Sequence, residues 1–196
     1  MGAQVGFSSP CAGAGPFVAA RLEEVFARCF EQQWRTCLRG GAPEPLYQPA
    51  AAAGQQHLIY YRADYFASAL HEVAHWCIAG EQRRRSVDYG YWYAPDGRDQ
   101  AQQQAFEAVE VKPQALEWWF AQACGYRFEV SVDNLGASGS AAPDPAVFTG
   151  RICAQARQWL AQGLPRRAAL FYGGLCSEFG LDPSEAQLES SLAALA

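Results

Sequence analysis

Phe66-Ala67-Ser68-Ala69-Leu70-His71-Glu72-Val73-Ala74-His75-Trp76-Cys77-Ile78-Ala79-Gly80 is the stretch that decides how this chain is read. Its apolar residues Phe66, Leu70, Val73, Cys77 and Ile78 recur at three- and four-residue spacing, the period of a helix with one buried side. Asp64 is placed to cap such a helix and Gly80 to stop it. His71 and His75 are four apart, so their imidazoles leave one face of the helix a turn apart. That spacing lets both rings reach one divalent ion at about 2.0–2.2 Å. Two of the protein's three histidines are committed to this motif. Glu72, one position round, can reach a metal-bound water and is the candidate catalytic residue.

Two histidines do not hold a metal firmly, and no histidine follows His75. The third ligand is therefore sought among the carboxylates of Phe106-Glu107-Ala108-Val109-Glu110-Val111-Lys112-Pro113-Gln114-Ala115-Leu116-Glu117. Glu107 and Glu110 are three apart on one expected helix, so one can ligate while the other supports a ligand. Glu110, just before an apolar residue, is favoured as the ligand, with Glu107 the alternative and Glu117 a further candidate. Lys112, the one lysine among fourteen arginines, lies beside them.

Outward from the motif, Val18, Leu22, Val25, Phe26, Cys29 and Phe30 predict an amphipathic helix ended by Gly40-Gly41. A proline-containing loop over 42–56 and a short strand from His57 to Tyr61 follow. Ser86 to Tyr93 is β-prone and aromatic, and Asp99 can cap a helix running to Lys112. Pro113 is expected to break that helix or to start a new one, which ends at Gly125. Arg127 to Val132 alternates like a strand, 136–145 is a connector, and the rest is helical, with a short last helix after Asp182-Pro183. The expected fold is α+β: a helix-dominated single domain over 16–196 with a few short strands and a zincin-like metal-binding helix, behind a flexible N-terminus over 1–15.

Composition narrows the partners. The formal charge of -5 is spread along the chain, and the one basic run, Arg83-Arg84-Arg85, reads as a solvated helix end, so no direct nucleic-acid contact is expected. No apolar run is long enough for a bilayer, and the first residues lack the pattern of a secretory signal, which implies a cytoplasmic protein away from the membrane. The seven cysteines include no C-x-x-C pair, so they read as small buried hydrophobes and not as a disulfide framework or zinc ribbon.

Two histidines and a carboxylate serve both catalytic zinc and non-haem Fe(II). In a zinc peptidase or amidase Glu72 would be the general base; in an iron oxygenase it would orient groups or relay protons. A non-enzymatic, metal-stabilised binding module is the third possibility. The residues alone put the hydrolase first. After the motif, Asp88-Tyr89-Gly90-Tyr91-Trp92-Tyr93 and Pro95-Asp96-Gly97-Arg98-Asp99 are dense in aromatics and acids. Tyr91, Tyr93, Asp96 and Asp99 are the candidates for receiving a cationic, flexible substrate arm.

These segments, with His71 through Gly80, Phe106 through Leu116 and Asp133-Asn134-Leu135, resemble the elongation factor P hydroxylases of bacteria. The resemblance runs from the first helix to about residue 180 and is most specific over 71–135. It implies hydroxylation of a lysine of elongation factor P that already carries a β-lysyl group, with O2 as co-substrate. It also implies a bound metal, taken to be Fe(II) with zinc the alternative, on His71, His75 and Glu110 or Glu107. A helical His-Glu-x-x-His site differs from the strand-borne jelly-roll site of 2-oxoglutarate oxygenases, which argues against a 2-oxoglutarate requirement.

Overall fold

In the computed structural model, residues 15–88, 99–132 and 145–196 are described. The expected features at 1–14, the Tyr89–Arg98 segment and the Asp133–Asn134 pair lie outside them. Among the described residues the chain forms one helix-dominated α+β domain.

Helix α1 (Ala19–Phe26) continues through a π-helical stretch, Ala27–Glu31, and a closing turn α2 (Gln32–Trp34). The helix therefore ends well before Gly40-Gly41, contrary to expectation. Arg35 takes the left-handed conformation at φ 49°, and Thr36–Ala42 is strand β1. The glycine pair instead forms the bulge at the end of β1, where the register shifts between Arg39 and Ala42. A Cβ on Gly40 would come within 2.7 Å of both the Tyr61 hydroxyl and the Ala63 carbonyl, so only glycine fits. Strand β2 (Leu46–Gln48) lies inside the expected loop, and β3 (His57–Arg62) is the expected strand. The sheet order is β1-β3-β2, with β1 parallel and β2 antiparallel to β3.

Helix α3 (Phe66–Ile78) carries the His-Glu-x-x-His motif, and its buried side holds Phe66, Leu70, Val73 and Cys77 as the periodicity predicts. Its cap is Tyr65 rather than Asp64, and no side chain caps it. Trp76 packs edge-on to Phe26 and Phe30, with ring centroids 5.3 and 4.8 Å away, which ties the motif helix to α1.

Helix α4 runs unbroken from Gln100 to Cys124, with Pro113 inside it. The expected break fails for a physical reason. Proline removes the hydrogen bond to the Val109 carbonyl, and Val109 is exposed, so water can satisfy that oxygen. Asp99 caps α4 as expected, in a reciprocal box with Gln102, and Gly125 closes it in the left-handed conformation. Among the described residues, 127–132 belong to no sheet, although their alternation is real: Phe128 is buried, and Val130 and Val132 pack against the core. The Gln114 amide takes the place of a partner strand, donating to the Ser131 carbonyl at 2.7 Å and accepting its N–H at 3.1 Å.

Helices α5 (Pro145–Gln162), α6 (Arg166–Phe179) and α7 (Glu185–Leu195) complete the chain as expected. Helix α4 packs against α3, α5 and α6, which fixes its carboxylate face beside the motif helix. No helix among the described residues is long and apolar enough to cross a membrane. Cys37, Cys77, Cys124 and Cys153 are buried thiols, Cys29 and Cys176 are half-buried, and none of these is disulfide-bonded.

Candidate metal centre

His71 and His75 leave α3 on the side facing α4, and their Nε2 atoms point at one another 3.0 Å apart. Glu110 of α4 meets both, with Oε2 at 3.4 Å from His71 Nε2 and Oε1 at 3.3 Å from His75 Nε2. These three side chains form a group able to hold a metal ion. Two donor atoms about 2.1 Å from a shared ion stand about 3.0 Å apart at a right angle and about 3.4 Å apart at the tetrahedral angle. The separations here fall in that range, so the donor set fits a divalent ion, whether zinc or iron. The carboxylate contacts are longer than the ~2.7–2.9 Å of a direct charge-assisted bond.

Helix phase explains which glutamate arrives. Glu110 and Glu117 are two turns apart and share one face of α4, whereas Glu107 is rotated away. Glu107 accepts from Gln103 at 3.2 Å and pairs with Arg151 of α5 at 3.5 Å. The structure thus brings Glu110, and not Glu107, to the histidines. Glu117 Oε2 lies 2.7 Å from His71 Nδ1. A carboxylate can only accept, so Nδ1 carries the hydrogen, and Nε2 is the nitrogen left for an ion.

The charges follow from these contacts. Burial works to raise the Glu110 pKa, but the His75 and His71 charges and hydrogen bonding from His75 and Gln114 hold it down to about 2. Burial works to lower the His71 value, yet the Glu117 hydrogen bond and the Glu117, Glu110 and Glu72 carboxylates push it up to about 10. Glu72 is raised, chiefly by burial. The two neighbouring acids are thus pushed in opposite directions, Glu110 down by the histidines and Glu72 up by burial. Glu72 and His75 share a cavity of about 20 Å³ with Tyr47, Ile59 and Trp76, enough room for one water-sized molecule. The His75 Nδ1 is buried without a hydrogen-bond partner among the described residues.

Of the expected substrate contacts, Tyr91, Tyr93 and Asp96 lie outside the described residues. Asp99 is at the start of α4, where its carboxylate accepts from the Gln102 N–H at 2.8 Å. Lys112 is exposed. The basic run forms a short 3-10 turn, Arg83–Arg85. Arg83 bonds Asp88, Arg85 bonds Glu81, and Arg84 donates to the Ala79 carbonyl. Those partners occupy the guanidiniums locally, as befits a closing segment for α3 more than a docking patch. The role of Glu117 was not legible as support for His71; its i+7 spacing from Glu110 was the available signal.

A sequence profile described as elongation factor P hydroxylase matches residues 25–189. An elongation factor P lysine hydroxylase of Haemophilus influenzae is 46% identical over 151 residues, which cover 76% of this chain and 83% of that protein. The matched region spans α3 and α4 and hence every residue of the candidate centre. With a profile covering most of its length and a relative this similar, the chain belongs to the elongation factor P hydroxylase family.

Proposed function

We propose that this chain hydroxylates a lysine side chain of elongation factor P with an Fe(II) ion held by His71, His75 and Glu110, one atom of O2 entering the C–H bond and the other leaving as water with two electrons from an external reductant. The observation that carries the reading is the convergence of two imidazole nitrogens and one ionised carboxylate within 3.0–3.4 Å of one another. Two histidines and a carboxylate with open positions form the donor set of non-haem Fe(II) oxygenases. The substrate follows from the name of the Haemophilus influenzae relative. A ferrous ion supplies the redox chemistry that an unactivated C–H bond needs and that acid–base side chains lack.

The chain's own residues do the rest. His71 and His75 aim their Nε2 atoms toward one point, where a bound ion would displace any proton held there, and Glu110 contributes the negative charge that would offset a divalent ion. Trp76, Ile59 and Tyr47, with Arg83, Arg84 and Asp88, line the small cavity beside Glu72 and His75. Glu72, buried against that cavity, is placed to orient a group there or relay a proton. The target lysine is taken to carry a β-lysyl group already, a long cationic arm that suits Tyr91, Tyr93, Asp96 and Asp99. A cytoplasmic location fits a modifier of a translation factor.

A zinc peptidase or amidase is the second reading, favoured by the place of Glu72 beside His75. Aerobic incubation of β-lysylated elongation factor P with Fe(II)-loaded protein and a reductant separates the two. Hydroxylation adds one oxygen to the modified lysine, seen by peptide mass spectrometry, and Glu110→Ala abolishes the gain. Peptide cleavage by the zinc form, lost in Glu72→Gln with metal retained, would instead establish the hydrolase.

A further inference from the structure

We propose that Glu117 is the positioning residue of the metal centre, holding the His71 ring so that Nε2 and not Nδ1 faces the ion. This rests on the reading that His71, His75 and Glu110 bind a metal. The Glu117–His71 contact, at 2.7 Å, is in the range of a charge-assisted hydrogen bond, shorter than any contact among the three proposed ligands. It fixes both the tautomer and the rotation of the ring, and it makes the opposite nitrogen a better donor.

The arrangement argues against Glu117 as a ligand. Its oxygen lies on the Nδ1 side of the imidazole, whereas Glu110 and His75 gather at Nε2. Reaching the ion would require the ring to turn and lose the bond it now makes. Nor is the pair a buried structural salt bridge. His71 keeps a quarter of its side chain exposed, and Glu117 lines an open cleft of about 270 Å³ with Ala67, Tyr126, Arg127 and Glu129.

The two histidines are consequently unequal. His71 is oriented by a carboxylate, while the corresponding nitrogen of His75 has no partner among the described residues. Helix α4 supplies both the charge at Nε2 and the anchor at Nδ1 from residues two turns apart. One rigid element therefore sets the coordination and its orientation together.

The test uses Co(II) as a visible probe, bound to the full chain and to Glu117→Ala and Glu117→Gln. Affinity is read by competition with a chelator, geometry by the visible absorption of the bound ion, and folding by the Tm of each metal-free protein. Glu117→Ala is expected to weaken Co(II) binding about 10–100-fold and to alter the absorption. Glu117→Gln, whose amide oxygen still accepts from Nδ1–H, is expected to stay within about 5-fold of wild type. The metal-free Tm values are expected to match within a few degrees. Wild-type affinity and absorption in Glu117→Ala would overturn the proposal. So would an equal loss in both variants, which would make Glu117 a ligand or a structural charge. Failure of the wild-type chain to bind Co(II) would remove the metal centre itself and the positioning role with it.

Discussion

Glu110 and Glu117 meet the His71 ring from its two sides, at 3.4 Å from Nε2 and 2.7 Å from Nδ1. Both come from α4, seven residues apart, a spacing that returns a helix to nearly the same face with a drift of about 20°. The motif on α3 supplies the nitrogens, and α4 decides which way they face.

Helix phase gives unequal roles to Glu110 and Glu107. Glu110→Ala should lower metal affinity by at least about 100-fold, more than loss of a supporting contact alone. Glu107→Ala removes only the contacts to Gln103 and Arg151. Its metal affinity should stay within about 3-fold of wild type, with a stability loss near 1 kcal/mol or less for a part-exposed pair. Equilibrium dialysis with Co(II) checks the pair, and the reverse ranking would exchange the two glutamates.

Metal should stabilise the fold, because its ligands sit on two different helices. An ion at 100 times its Kd adds about 2.7 kcal/mol, which for a chain of this size corresponds to roughly 5–10 °C in Tm. Calorimetry before and after chelation measures this. An unchanged Tm would mean that the three side chains bind no ion in the folded state.

Phe26 anchors the motif helix from behind. It is fully buried, with ring centroids 4.8 Å from Phe30, 5.3 Å from Trp76 and 6.0 Å from Phe171. Phe26→Ala should cost about 3–5 kcal/mol in urea unfolding, the usual loss for an aromatic cavity. A cost below about 1 kcal/mol would show that α1 and α3 do not pack through this ring.

The acid response of the helical half turns on Glu178. It pairs with Arg28 at 2.7 Å and Arg21 at 3.2 Å, and its pKa is lowered, first by the Arg28 hydrogen bond. A lowered folded-state pKa contributes stability above the unfolded carboxylate value of about 4.3 and loses it as pH falls through the folded value. Glu178→Gln should therefore cost about 0.5–1 kcal/mol near neutral pH, since the arginines are partly solvated. Chemical denaturation from pH 7 to pH 3 should show that difference shrinking toward zero. A difference that holds or grows in acid would contradict the assignment.

Much of this was legible in the sequence, and the failures share a cause. The motif helix, the Asp99 cap, the Gly125 stop and the last three helices follow from local periodicity and capping, which act over a few residues. Gly40-Gly41 was misread as a helix stop because glycine marks both a stop and a close approach; only Tyr61 and Ala63, distant in sequence, tell them apart. Pro113 was misread as a break because the solvent exposure of Val109 is a tertiary fact. The alternation at 127–132 was real, but its hydrogen-bond partner was the Gln114 side chain and not a strand. Within the site, spacing pointed to the two histidines, while Glu110 was favoured over Glu107 without a spacing argument that separated them. The part played by Glu117 required the distance between α3 and α4.

The most direct measurement is the mass of the target lysine peptide of β-lysylated elongation factor P after incubation with the Fe(II)-loaded chain and a reductant under 18O2. The proposed hydroxylation predicts one added oxygen carrying the heavy isotope, and none with His75→Ala. An unmodified lysine, or an added oxygen that comes from water, would contradict it.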